Sequence, residues 1–256
     1  MMKKKILILA PIFLWANFMI SAQNVTDKSG KKQGNWSKTY PNGKLMYEGA
    51  FKDDQPVGIF KHYYESGKLK IQQNYLPESD ISEVEVYEND GKTISATGAY
   101  KGKKKDGEWK YYSEEKLIQS ETFKNGIKDG LTKIYAKTGV VMEEIPYVGD
   151  KITGIRRLFL EDGKLYSEVS YKNDVEDGYY KLFEGYNRPV AEGLYVAGKK
   201  EGDWNVYDER GNIVETQRYK NGVLLNAKEL KKKQESSYDR NIQNEGKYRE
   251  PYEMFD

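Results

Sequence analysis

The sequence predicts an all-β fold, an elongated ribbon of antiparallel β-hairpin repeats forming a single twisted sheet. Three observations lead there. Glycines that precede aromatic segments recur at 34, 58, 107, 130, 154, 178 and 202, with spacings of 24, 49, 23, 24, 24 and 24. The double-length gap holds one further unit starting at Ser82, so eight repeats of about 24 residues span 34–225. Aromatic residues fall in columns of this period, which is the signature of a repeat architecture. Each unit also carries a turn signal midway.

Taken in order, residues 1–22 read as a signal peptide. "MMKKK" is basic, "ILILAPIFLWANFMI" is apolar, and Ala22 offers a small residue for cleavage. The apolar part is short for a membrane span, so no transmembrane segment is expected after cleavage, and the protein is expected to be exported to the periplasm, cell envelope or medium. Loss of Lys3, Lys4 and Lys5 takes the formal net charge from +2 to −1. Nucleic acid is therefore not an expected partner, because binding it needs a basic surplus. The chain has no cysteine, which excludes disulfides and a lipid-modified cysteine anchor.

Residues 23–33 form a lead-in. Within 34–225, the position two after the opening glycine holds Trp36, Phe60, Val84, Trp109, Thr132, Arg156, Tyr180 and Trp204. The position five after it holds Thr39, Tyr63, Tyr87, Tyr112, Tyr135, Phe159, Phe183 and Tyr207. The closing column is wholly aromatic: Phe51, Tyr75, Tyr100, Phe123, Tyr147, Tyr171, Tyr195 and Tyr219. Gly43, Gly67, Gly91, Gly139, Gly163 and Gly211 mark the turns, mostly after Asn, Asp, Ser or Thr. Such pairs favour tight hairpins, since glycine tolerates positive φ. The flanking segments have strand length and strand chemistry. Polar loops such as "KDDQPVG" and "KNDVEDG" then reverse the chain between units.

One hairpin cannot bury its face alone, so hairpins are expected to stack side by side. Sixteen strands at about 4.8 Å each give a ribbon of about 75 Å. The second and fifth positions after the glycine have opposite parity. Either both faces carry aromatics or a bulge intervenes. The tail 226–256 breaks the pattern; 226–236 is expected to form a short helix shielding the last strand, with flexible chain beyond.

"GNWSKTYPNGKLMYEGAF", "GEWKYY" and "GDWNVYDERGNIVETQRYKNG" resemble the MORN repeat in its bacterial variant form, and the pattern is similar to the YwqK-type antitoxin family. The resemblance covers 34–225. It implies a scaffold or interaction module, in some members linked to membranes or phospholipids. The antitoxin likeness implies the alternative of a toxin-neutralising or immunity-type protein.

Enzymatic chemistry finds no foothold in the sequence. His62 is the lone histidine and reads as a strand residue, which excludes a multi-histidine metal site or a triad using several histidines. No phosphate-binding glycine loop occurs. Glu48, Glu144, Glu168 and Glu192 recur in one column, which points to a structural role. No cofactor and no catalytic or metal residue is expected.

Two stripes are candidates for binding. Lys44, Lys68, Lys92, Lys116, Lys164 and Arg188 follow the hairpin turns. They form either a ladder for an anionic lipid or acidic glycan, or charged guards of a turn edge. Trp36, Trp109 and Trp204 form the second stripe. Exposed, they would stack on sugar rings or on a partner's apolar groups; buried, they would be core. The expected function is a secreted or envelope-associated scaffold that binds a partner through its sheet surface. A protein is the first expectation for that partner, and an anionic lipid or a glycan the second.

Overall fold

The computed structural model describes residues 24–185 and 188–245. The expected signal peptide 1–22 and the end of the tail lie outside these residues. The described chain forms one open antiparallel sheet of twenty strands laid down in hairpin order along the sequence. Eight hairpins make up most of it. They run from Lys32–Thr39 with Leu45–Lys52 to Lys199–Tyr207 with Ile213–Lys220. Four strands of two residues complete the sheet: Val25–Thr26, Ile127–Lys128, Lys151–Ile152 and Val223–Leu224.

Turn chemistry sets the reversals. Between units, Asp53–Asp54, Asn125–Gly126, Asn173–Asp174 and Asn221–Gly222 have positive φ at both positions. That matches the twist of the strands they join. These turns take only two residues, so most of the remainder of these expected loops is already strand. "QPVG", for instance, opens Gln55–Tyr63.

The opening glycines consequently sit inside strands. Gly58 has φ +64. Ala50 pairs with Val57 and Glu48 with Lys61, so Gly49 alone faces three residues, 58 to 60. The same jog sets Gly98 against 107 to 109 and Gly193 against 202 to 204. It lays each large ring flat on the glycine of the preceding strand.

Both parts of the parity alternative hold. Every hairpin carries a β-bulge opposite the fifth position, as between His62/Tyr63 and between Val206/Tyr207. The extra residue lies on the second strand: Met46, Lys70, Ser95, Ile118, Met142, Tyr166, Val190 and Val214. The two aromatic columns also face opposite sides. Tyr63 and Tyr207 donate to Glu48 and Glu192 at 2.5 Å, on the side away from Phe60 and Trp204. The recurring glutamates thus act partly as acceptors for tyrosine hydroxyls.

The face bearing Phe60, Trp109 and Trp204, here the ring face, holds the core: Phe60, Val84, Ala96, Trp109 and Trp204 are buried. The opposite charge face carries a continuous row paired strand to strand. Over its second half the row reads Lys133, Glu144, Arg157, Glu168, Lys181, Glu192. Arg157 meets Glu168 at 2.8 Å and Lys133 meets Glu144 at 3.2 Å. Opposite charges directly across strands add roughly 0.2–1 kcal/mol each.

The terminal strands are covered by asparagines. Asn24 donates its backbone N–H to the Asn35 carbonyl, and its Oδ1 accepts from Ser37 N–H at 2.8 Å. At the other end Asn226 Nδ2 donates to the Thr216 carbonyl at 2.9 Å, and Oδ1 accepts from Arg218 N–H at 3.0 Å. The helix Ala227–Glu245 follows and runs past the expected end at 236. Lys233 of this helix donates to the Val214 carbonyl at 2.7 Å.

Candidate binding surfaces

The basic stripe lies along the hairpin-turn edge and is largely engaged there. Lys44 Nζ donates to the Ser66 carbonyl at 2.8 Å, one repeat further on. Lys164 pairs with Asp162, and Arg188 with Glu184, each at 2.6 Å. Lys68 packs on the next turn, where a β-carbon on Gly91 would lie 2.8 Å from its Cβ. Lys92 and Lys116 are exposed. Lys44 and Lys68 thus clip one turn to the next, and Lys164 and Arg188 brace their own hairpins.

The tryptophan stripe is split. Trp109 and Trp204 are 2% and 6% exposed, so neither ring is open to a ligand. Their Nε1–H groups donate to the Ala99 and Leu194 carbonyls at 2.9 and 3.1 Å. Trp36, on the first full-length strand, is half-buried and packs edge-on against Phe51. Tyr180 stacks on Trp204 with ring centroids 5.2 Å apart, and Tyr100 meets Trp109 edge-on at 5.0 Å.

A second lysine column escaped the sequence reading. Lys32, Lys105 and Lys200 lie over Trp36, Trp109 and Trp204 at 4.8, 4.3 and 4.0 Å from the ring centroids, and Lys128 lies over Tyr147 at 5.1 Å. Each stands two residues before an opening glycine, so repeat alignment could have exposed the column. Their stems cover rings that no second layer covers, and the ammonium groups meet the π-faces. Burial lowers the pKa of Lys105 and of Lys200.

Where the large ring is missing, an ionic cluster takes its place. Thr132 stands at the ring position of its unit, and Glu121 stands where Gly49, Gly98 and Gly193 stand in others. Glu121 is 6% exposed. It accepts from Tyr111 Oη at 2.8 Å and pairs with Lys128 Nζ at 2.5 Å. Burial pushes the Glu121 carboxyl upward, but hydrogen bonds from Lys128 and Tyr111 and the nearby lysine charges hold it below its ordinary value. Burial and the Glu121 carboxylate together push the Tyr111 phenol up.

His62 is half-buried between Tyr47 and Phe60, with ring centroids 6.0 and 5.5 Å away. Burial, helped by the charge of Lys70, lowers its pKa. Among the described residues no three metal-ligating side chains converge, and no helix is long and apolar enough to cross a membrane.

The charge face is the more open one. Tyr179 is 71% exposed beside Ile155 at 41%. With Leu194, Ser170 and Asp203 they line a groove of about 460 Å³. Leu194 is paired directly with Tyr179 across the strands.

Comparison with known proteins agrees with this architecture. No curated protein matches the chain. Among solved structures, 78 chains match. One is described as "Crystal structure of GtfA/B complex". It is 15% identical over 45% of this chain and 18% of that chain, with a TM-score of 0.18. The present chain thus spans less than a fifth of that chain's length, and a likeness at that score carries no weight for fold or function. The model of the family described as "MORN repeat variant" matches 32–53, 56–76, 105–125, 128–148, 152–173 and 200–221, together half of the sequence. The matched segments begin two residues before the opening glycines and end within about a residue of the second strand of each hairpin. Each is one hairpin of the observed sheet, and the chain belongs to the MORN repeat variant family.

Proposed function

We propose that the chain is an exported repeat scaffold that binds a protein partner through its charge face, around Tyr179. The family and the all-β repeat fold are typical of binding modules rather than catalysts. The observation that carries the reading is the exposure of Tyr179 next to Ile155 and Leu194 on a grooved, rigid sheet. An exposed aromatic ringed by polar groups has the composition of an interface hot spot. The Trp stripe supplies no such surface, because two of its three rings, Trp109 and Trp204, are buried. Export rests on the order of residues 1–22, and the mature chain should begin at or near Gln23.

The test is affinity capture from the native envelope fraction with three forms of the mature protein. Wild type and a Lys92→Gln/Lys116→Gln variant should retain the same partner, and Tyr179→Glu should lose it while keeping its β-sheet circular dichroism. Retention by Tyr179→Glu would move the interface elsewhere. Mass spectrometry of the native protein checks export, and an N-terminus at Met1 or Met2 would refute it.

A further inference from the structure

The row of large rings on the ring face is interrupted at the third hairpin. Phe60 and Trp109 flank a unit whose ring position holds Val84, with Val86 two residues on. Smaller side chains leave a groove of about 430 Å³, within the range of small-ligand sites. It crosses the face from Tyr40, Met46 and Lys70 at the hairpin-turn edge to Gly102 and Lys103 at the other edge. Tyr75 and Tyr100 also line it, on the two strands either side of Ser82.

We propose that this groove binds an anionic sugar, the acid being a carboxylate or a phosphate. Three features together select that chemistry. First, the lining holds Lys70 and Lys103 and no carboxylate, so its charge complements an anion. Second, polar groups without commitments converge here. Among the described residues the hydroxyls of Tyr75 and Tyr100 and the imidazole of His62 make no hydrogen bond, whereas Tyr63, Tyr87, Tyr111 and Tyr207 each donate to a glutamate. A polyol offers partners for all three groups. Third, Tyr75 and Tyr100 each meet a core ring edge-on, at 6.3 and 5.0 Å. Rings held in place this way can cover the apolar face of a pyranose. An acyl chain is disfavoured, because Lys70, Lys103, Gln73 and His62 share the lining with Met46, Ile71 and Val86, so a chain laid there would also cover polar groups. The site lies on the face opposite Tyr179, so its success or failure is independent of the partner-binding surface.

His62 makes the test direct, since the chain has one histidine and its ring gives one set of imidazole proton signals. The mature protein would be titrated by NMR with trigalacturonate, with glucose 6-phosphate, with neutral maltotriose and with octanoate. Trigalacturonate or glucose 6-phosphate should move the His62 signals saturably, and which of the two binds tighter identifies the acid group. Maltotriose, which has the polyol but no charge, should bind at least about tenfold more weakly, as expected if ion pairing supplies about 1.4 kcal/mol, and octanoate, which has the charge but no polyol, should also bind more weakly. The Lys70→Gln/Lys103→Gln variant should lose the same factor for the anionic sugar while keeping its β-sheet circular dichroism; the titrations are run at alkaline pH, where His62 is neutral in both proteins, because the charge of Lys70 acts on its pKa. The proposal is overturned if neither anionic sugar moves His62, if maltotriose matches them, if octanoate binds tighter, or if the double variant binds as wild type does.

Discussion

A β-carbon built on Gly98 would lie 2.3 Å from the indole of Trp109. Gly49 with Phe60, at 2.0 Å, and Gly193 with Trp204, at 2.2 Å, repeat the relationship. Each ring closes the sheet over a glycine eleven residues earlier in the chain. A single-layer sheet buries rings by removing the side chain beneath them.

Gly98→Ala should therefore destabilise by about 1–3 kcal/mol, the usual cost of overpacking a filled site. The cause is space and not backbone conformation, since Gly98 is absent from the positive-φ glycines. In urea melts, Gly98→Ala combined with Trp109→Ala should cost clearly less than the sum of the two, because the residues touch. Full additivity would show that the contact is unimportant.

Removing a lysine from above a ring tests the covering column. Lys200→Ala should cost about 0.5–2 kcal/mol, the range of a cation–π contact at a partly desolvated site. Lys200→Met keeps the stem and loses the charge, so it should fall between the two in thermal or urea melts. Equal stability of Lys200→Ala and wild type would assign the lysine to solvent.

Glu121 should make the middle of the ribbon acid-sensitive. Its pKa is lower in the folded chain than in the unfolded one, so the folded state binds fewer protons. The stabilisation is present at neutral pH and is lost as pH falls through the ordinary carboxylate range and on through the folded value. Glu121→Gln should flatten this part of the acid limb. Glu121→Ala, which leaves the Tyr111 hydroxyl without its acceptor and Lys128 without its ion-pair partner, should cost about 1–3 kcal/mol at neutral pH. Acid titrations of urea midpoints would separate the two.

Asn226→Ala should open the last strand. It removes the acceptor for Arg218 N–H and the donor to the Thr216 carbonyl at a 9% exposed position. Leaving a buried donor or acceptor unmet costs about 1–3 kcal/mol. Hydrogen exchange should speed up within Ile213–Lys220 and stay unchanged in the first hairpins, because repeats couple mainly to their neighbours.

The repeat period, the hairpins, the single sheet and the shielding helix were legible in the sequence because their causes are local or periodic. Asn-Gly pairs choose turns, alternation chooses faces, and a 24-residue period repeats the choice eight times. The sequence also exposed the aromatic columns, but not which of their rings would be buried. That depended on the jog at Gly58, Gly107 and Gly202, which brings residues eleven apart into contact through the register of neighbouring strands. The same applies to the lysine lids, to the ion pair of Glu121 with Lys128, and to the groove beside Val84. Each is a meeting of side chains from separate strands, settled by bulges and by the volumes of the neighbours. Local propensity determined what repeats here, and tertiary register decided which rings are core, which charges are paired and which grooves stay open.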